Sequence, residues 1–123
     1  MNRGTTPPGW PDGVRPAGAP DWVRSAVNWL LDLCPPDYRG HPVLLRQPVA
    51  LAWLAGHHVD GEVTAVHQAL ARARADLADD LAAPAISELL EVLHAEQARL
   101  LAARRAVGLV EEALRGHRFV PRL

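Results

Sequence analysis

The chain has few of the residues that mark particular protein classes. Its single cysteine, Cys34, can form no internal disulfide, and it follows an apolar run, which predicts a buried thiol in a reducing compartment. Lysine is absent; the thirteen basic residues are all arginine and nearly balance the acids, at a formal net charge of −1. So small a net charge predicts no strong attraction for nucleic acid or for membrane surfaces.

Long apolar runs are missing as well. No run approaches the length that crosses a bilayer, and no N-terminal stretch has the charged, apolar and small-residue order of a signal peptide. We therefore expect a cytoplasmic protein that does not enter a membrane. At 123 residues, with 49% hydrophobic and 22% charged residues, the chain is expected to fold as one small domain around a single core.

Proline and glycine are concentrated in residues 1–20, "MNRGTTPPGWPDGVRPAGAP". Such a density of helix breakers predicts an extended or disordered arm. The one large apolar side chain of the arm is Trp10. Two interpretations of Trp10 stay open: it pins the arm onto the helices, or it belongs to a peptide that docks on a partner.

Residues 21–116 are predicted to form a helical domain, and residues 117–123 a tail. In residues 21–34 the polar side chains form one narrow stripe, which predicts a short helix that is buried around most of its circumference. Pro35 and Pro36 end this helix. A loop and a short helical turn follow, and Pro48 suits the first position of a new helix.

Residues 48–81 and 84–115 each carry an apolar seam at alternating spacings of three and four, the pattern of two long helices. Gly56 and Gly61 could interrupt the first of them, but the seam keeps its phase across both, which favours one continuous helix. The short connection predicts an antiparallel hairpin in which facing residue numbers sum to about 165. This register places Asp60 beside Arg104. The predicted fold is all-α: a short buried N-terminal helix packed on a long, coiled-coil-like two-helix hairpin.

Two groups of residues have the spacing of metal ligands. Glu91 and His94 have the Glu-x-x-His spacing of di-metal helical bundles, yet the motif occurs once and points away from the seam. His57, His58 and Glu62 lack the second histidine that a zincin helix would supply. We expect no metal, cofactor or catalytic site. A metal- or ligand-binding bundle using His57, His58, Glu62 or Glu96 is retained as the alternative.

The C-terminus offers a weaker alternative, a nucleic-acid-binding module. Arg115, His117, Arg118 and Arg122 form a cluster without acids. Glu111 and Glu112 precede the cluster, and Phe119 is its one aromatic side chain, so we do not expect nucleic acid as the partner. The tail residues Phe119, Arg122 and Leu123 are candidates for a linear docking motif, unless the tail folds back onto the domain.

The lengths of the helices predict an uncovered surface. The long helices span roughly 50 Å and the first helix about 20 Å, so the first helix covers only the Pro48 end of the hairpin. Trp22, Trp29, Leu30 and Leu33 are expected to dock there, in a groove that includes Ala102, Leu109 and Ala113. Toward the turn, the same flank continues with Ala65, Ala69, Val92 and Ala95, and no element is left to cover it.

We expect a second copy of the chain to cover that flank and to complete a four-helix bundle. Glu96, the one non-apolar member of its seam, is expected either to pair with Arg99 or to face the second chain. The predicted function is a small non-catalytic protein interaction module, an adaptor or regulator, that is homodimeric through the hairpin tip and binds a further, unknown protein. The candidate interaction residues are Trp10, Ala65, Ala69, Val92, Ala95, Glu96, Arg99, Phe119, Arg122 and Leu123.

Overall fold

Helices dominate the computed structural model, which describes residues 6–117. The four α-helices are α1 (Trp22–Leu33), α2 (Pro42–Arg46), α3 (Pro48–Leu77) and α4 (Ala83–Leu114), with a 3-10 helix at Pro36–Gly40 where the sequence predicted only a loop. These residues contain no strand, and none of their helices is long and apolar enough to cross a membrane. Helices α3 and α4 pack along each other as a hairpin, and α1 packs on α3, which confirms the predicted fold class.

The hairpin has the predicted register. The guanidinium Nε of Arg104 lies 2.7 Å from Oδ1 of Asp60, so these residues face each other across α3 and α4. Helix α3 runs without a break through Gly56 and Gly61. Gly56 is buried against α4, where a Cβ would lie 3.6 Å from Cγ1 of Val107, an ordinary contact. The seam, rather than the glycines, therefore decides the local structure.

Helix α3 ends at Leu77, four residues before the predicted end. The amides of Asp80 and Leu81 both donate to the carbonyl of Leu77, and Ala82 is extended at φ −68 and ψ 155. Aspartates such as Asp79 and Asp80 favour turns over helix interiors, because their side chains compete for backbone hydrogen bonds. The turn between the helices therefore takes up residues that the seam alone assigned to α3.

Replacing Gly61 by alanine is expected to raise the free energy of unfolding by about 0.5–1 kcal/mol, because alanine loses less backbone entropy in a helix interior. No atom would lie within 4 Å of the added Cβ. Urea unfolding followed by circular dichroism measures the change. Gly116→Ala is the contrasting variant. Because Gly116 has φ +91, the same replacement there should lower the free energy of unfolding. A loss of stability in Gly61→Ala would contradict an unbroken α3.

The core lies at the end of the hairpin where α3 begins, which is here called the base. Leu30 of α1, Leu51 and Val59 of α3, and Val107 and Val110 of α4 are the largest fully buried side chains. Trp22, Trp29 and Leu33 of α1 pack against this cluster, as the sequence predicted. Between residues 60 and 99, only Ala73 and Ile86 are buried. The half of the hairpin near the turn, the tip, is therefore a two-helix layer with little core of its own.

The N-terminal arm departs from the prediction of an extended or disordered segment. Residues 6–20 form successive turns, in which the amides of Trp10, Val14 and Ala19 donate to carbonyls three residues earlier. Val14 is only 3% exposed, and the indole Nε1–H of Trp10 donates to its carbonyl at 2.9 Å. Prolines break helices but suit turns. The apolar side chains between the prolines are buried when these turns pack on the core.

The arm also covers part of the hairpin surface that the sequence analysis assigned to α1. A Cβ at Gly9 would lie 3.6 Å from Cδ1 of Leu109, so the arm crosses to α4 there. Helix α1 packs mainly on α3 and only lightly on α4. Ala102, which was expected to lie under α1, is exposed. One helix is too narrow to cover both hairpin helices, and the arm covers some of what α1 leaves.

Candidate interaction surface

Helix α1 and the 3-10 helix cover the hairpin only from the base to about halfway along α3. At the base, the Tyr38 ring of the 3-10 helix meets the His58 ring edge-on, with centroids 6.3 Å apart. Cys34 comes directly after α1. It lies close enough to Glu62 for the negative charge of the carboxylate to raise the pKa of the thiol. Because Glu62, Ala65 and Ala69 follow His58 at helical spacings, they continue the same flank toward the turn. Ala65 and Ala69 are exposed, so within residues 6–117 no other element covers this part of the flank.

The uncovered surface consists of Ala65 and Ala69 on α3 and Val92 and Ala95 on α4, and we call these four residues the tip flank. All four are exposed, as the sequence predicted. Val92 is 63% exposed, more than any other large hydrophobic side chain in the described part of the chain. Solvated alanines are common on helices, but a valine this exposed keeps apolar surface in water without any contact that compensates for it.

An open groove of about 270 Å³ runs between α3 and α4 beside the tip flank. Its walls are mainly apolar, and Arg72 and Asp76 lie at one edge. The lining residues are Ala69, Arg72, Ala73, Asp76, Leu77, Leu89 and Leu93. The volume exceeds that of a cavity of about 150 Å³ that accepts benzene. The groove is therefore large enough for an aliphatic side chain from outside the chain.

Charged side chains border the tip flank at both ends. Toward the turn, Arg72 donates to Asp76 at 2.7 Å. Toward the base, Arg99 donates to Glu96 through two of its nitrogens, and the Nε bond measures 3.0 Å. The hydrogen bonds from Arg99 hold the pKa of Glu96 below its usual value. The same pairing raises the pKa of Arg99, to which the attraction of Glu62 adds.

Glu96 is therefore partnered within its own chain. Its side chain is half-buried at the seam position, and Arg99 is its ion-pair partner. This pair is one of the two arrangements that the sequence left open. It does not exclude a second chain, because a guanidinium has five donors and can hold a further acid.

The metal-ligand candidates do not converge. His58 Nε2 lies 3.4 Å from Oε1 of Glu62, but the ring of His57 points elsewhere and meets Trp53 edge-on at 4.7 Å. Glu91 and His94 are both exposed. Among residues 6–117, no three histidine, cysteine or acidic side chains come close enough together to hold an ion.

Cys34 and Ser25 carry nucleophilic side-chain groups, and both groups lie where they support the fold. Burial raises the pKa of the Cys34 thiol to about 11, and the negative charge of Glu62 adds to the shift. The thiol is therefore protonated at neutral pH, and the thiolate is the reactive form. The hydroxyl of Ser25 donates to the carbonyl of Trp22 at 2.7 Å and accepts from the Arg15 amide at 3.0 Å. The hydrogen bond from Arg15 ties the arm to α1, and the bond to Trp22 lies within α1.

Two of the arginines toward the C-terminus, Arg104 and Arg115, are engaged in ion pairs. Arg115 lies 2.9 Å from Glu111, and His117 lies 2.5 Å from Glu112. Arg104 is held by Asp60. These pairs lower the positive charge that a phosphate would meet on this part of the chain. The remaining candidates, Arg118, Phe119, Arg122 and Leu123, lie outside the described residues.

Sequence reasoning found the tip flank but missed the groove beside it. Of the lining residues, only Ala69 was a candidate. Leu77, Leu89 and Leu93 belong to the two predicted apolar seams, which pack against each other in the hairpin. The sequence did carry a signal for this groove. Where no third element covers a two-helix seam, the seam itself is open on one side.

The chain was compared with protein-family models, curated proteins and solved structures, and none of them matches.

Proposed function

We propose that the protein is a small, non-catalytic helical interaction module, a dimeric adaptor or regulator, that pairs with a second copy of itself through the tip flank. One observation carries the proposal: the flank that α1 covers at the base continues to the tip as exposed apolar surface around Val92. Helices in proteins depend on tertiary packing for most of their stability. The tip is the part of this hairpin that lacks such packing.

A second copy fits the tip flank because it brings a matching shape. Val92 projects next to a groove that can accept an aliphatic side chain. In a two-fold dimer, each copy would place its Val92 at the groove of the other, since the same patch serves both partners. Four antiparallel helices would then surround a core of alanine, valine and leucine side chains.

The size of the patch predicts a reversible dimer. The uncovered part of α3, from residue 62 to residue 77, is roughly 23 Å long, and two adjacent helices are about 20 Å wide. A footprint of roughly 450 Å² on each copy is at the low end for specific interfaces. We therefore expect the dimer to dissociate on dilution, so the mass must be measured over a range of concentrations.

Absolute mass by light scattering across a dilution series tests the proposal. The expected mass at high concentration is twice the 13.4 kDa of the chain. Val92→Glu should shift the protein to monomer at every concentration, because it places two unpaired carboxylates in the apolar contact. Val43→Glu is the matched control: Val43 is 54% exposed but lies on α2 at the base, and this variant should remain dimeric.

A wild-type chain that is monomeric at all concentrations would overturn pairing through the tip flank. A dimer that survives Val92→Glu and is lost in Val43→Glu would move the interface to the base. Circular dichroism of both variants checks that each remains helical.

A further inference from the structure

Of the four tryptophans in the chain, Trp53 alone is exposed. Trp10, Trp22 and Trp29 pack against the core cluster, whereas Trp53 is 52% exposed and meets the His57 ring edge-on at 4.7 Å. A half-exposed indole keeps a large apolar surface in water, and tryptophan is enriched at the centres of protein interfaces. Trp53 therefore marks a surface that the tip flank does not explain.

Trp53 lies on the side of the hairpin opposite to α1. Leu51, two residues earlier, is fully buried in the core cluster, and residues two apart in a helix point roughly 200° apart. On α4, Leu101 is nine residues from Val92, about two and a half turns, so it projects away from the tip flank. Leu101 is 45% exposed. We call this second uncovered surface the back face, and it consists of Trp53 and His57 on α3 and Leu101, Arg104 and Arg105 on α4.

Arg104 lies at the centre of the back face and connects its two helices. Its Cζ and Nη1 atoms are each 3.5 Å from the position that a Cβ of Gly56 would take, and Nη1 is 3.7 Å from that of Gly108. The Nε group donates to Oδ1 of Asp60 at 2.7 Å, and neither Nη group has a hydrogen-bond partner among residues 6–117. Because Gly56 follows Trp53 by three residues, the Nη donors lie about one helical turn from Trp53.

The base end of the back face has positive charge without a partner. Arg105 follows Leu101 by four residues, is exposed, and has no ion pair among residues 6–117. The acids at this end of the hairpin are engaged within the chain: Asp60 with Arg104, Glu111 with Arg115, and Glu112 with His117. An incoming acid would therefore meet free arginine donors here, at Arg104 and Arg105.

Toward the tip, the two sides of the hairpin differ in charge. His67 and Arg74 follow Trp53 at multiples of seven residues, and His94 precedes Leu101 by seven, so they continue the side of the back face. Arg74 is exposed and has no ion pair within the described residues. On the side of the tip flank, both arginines have acid partners: Arg72 has Asp76 and Arg99 has Glu96. Arginine without an acid partner is therefore found on the side of the back face.

We infer that the back face binds an acidic, apolar segment of another protein, with a carboxylate on the Nη groups of Arg104 and a large apolar side chain on Trp53. A guanidinium can hold a carboxylate through two parallel hydrogen bonds, and an adjacent indole supplies apolar contact. Leu101 and Arg105 offer the same two chemistries farther along the face. This inference goes beyond the proposed function, because it gives the module a second site that does not depend on the pairing of two copies.

A protein segment fits this surface better than a nucleic acid does. Affinity for nucleic acid rises with the number of phosphates that a protein neutralises. The back face and its continuation offer three arginines, Arg74, Arg104 and Arg105, and Arg104 already shares its charge with Asp60. Leu101 gains nothing from a phosphate, whereas an apolar side chain would remove it from water. An acidic segment with apolar residues uses both the charge and the exposed apolar surface.

The test begins with a library of random peptides displayed on phage, selected on the wild-type protein. The selected peptides should combine aspartate or glutamate with a large apolar residue. Fluorescence anisotropy of one labelled peptide then measures its affinity for the variants. Trp53→Ala and Arg104→Lys should each weaken binding by about tenfold or more, because tryptophan and arginine dominate interface energies and lysine cannot replace the two parallel hydrogen bonds.

Arg105→Glu covers the case in which Arg104→Lys does not fold, since Arg105 is exposed and has no ion pair among residues 6–117. It should also weaken binding by about tenfold, through repulsion of the acidic peptide. Arg24→Glu is its matched control, because Arg24 is exposed on α1 and undergoes the same charge change. Val92→Glu should bind the peptide like the wild type even though it loses the dimer.

The inference is supported by acidic peptides whose binding is weakened by the changes at Trp53 and Arg105 and kept in Arg24→Glu and Val92→Glu. It is overturned if the selection returns no binders or peptides without acids, or if binding is lost in Val92→Glu and kept in Trp53→Ala. A single-stranded DNA oligonucleotide that displaces the peptide and binds more tightly would replace the protein partner by nucleic acid. A monomeric wild-type chain overturns the proposed pairing and leaves the back-face site standing.

Discussion

Replacing Leu30 by alanine is expected to lower the free energy of unfolding by about 2–5 kcal/mol, the range for leucine-to-alanine changes in close-packed cores. Leu30, in the last turn of α1, is 0% exposed and belongs to the cluster that joins α1, α3 and α4. The loss combines the transfer of the missing side-chain carbons with the cavity they leave. A small domain is typically stable by only about 5–15 kcal/mol, so this variant is expected to be close to unfolding at physiological temperature.

Urea unfolding monitored by circular dichroism measures the effect. Leu101→Ala is the matched control, because Leu101 is 45% exposed on α4 and should lose about 0.5 kcal/mol or less. Similar losses in the two leucine variants would show that α1 is not seated on the hairpin as described. Because Leu30 is remote from the tip flank, the folded fraction of Leu30→Ala should dimerise like the wild type.

Replacing Trp10 by alanine is expected to cost about 1–3 kcal/mol, from the loss of apolar burial and of one hydrogen bond. The ring of Trp10 is half-buried against the core cluster, with its centroid 6.4 Å from that of Trp22. Its indole holds the carbonyl of Val14, itself a buried residue. Removing the ring should therefore release the arm from Gly9 to Val14 while α3 and α4 keep their pairing.

Two measurements check the Trp10 prediction: the free energy of unfolding, and the rate of proteolysis within residues 6–20, which should rise. Trp53→Ala is the control, since Trp53 is 52% exposed and contacts His57 on the surface. If Trp10→Ala left both the stability and the protection of the arm unchanged, the ring would not pin the arm. The docking-peptide interpretation of Trp10 would then become the better one.

The hairpin could be predicted from the sequence because its information is local and repeated. Apolar residues at spacings of three and four specify a helix and the side that it buries, and a short connection between two seams specifies an antiparallel pair. The pairing of Asp60 with Arg104 could be predicted in the same way, because the position of the turn fixes the register of every facing residue. The helix ends near the turn were less certain, since Asp79 and Asp80 interrupt a pattern that their neighbours continue.

The arm and the groove could not be predicted in this way. The positions of Gly9 and Gly13 depend on contacts with Leu109 and Trp29, which lie far away in sequence. The groove beside Ala69 depends on how far α1 reaches along the hairpin and on the absence of a third helix at that height. Neither property has a periodic signal, because each results from elements meeting in space.

The sequence by itself determined the helical class of this protein, the two seams and the register of the hairpin, because all of these follow from residues that repeat along a helix at fixed spacings. The tertiary structure decided the path of the arm across α1 and α4 and the opening of the groove beside the tip flank. These depend on which elements cover which surfaces, and that is settled by the packing of segments that are distant in the chain.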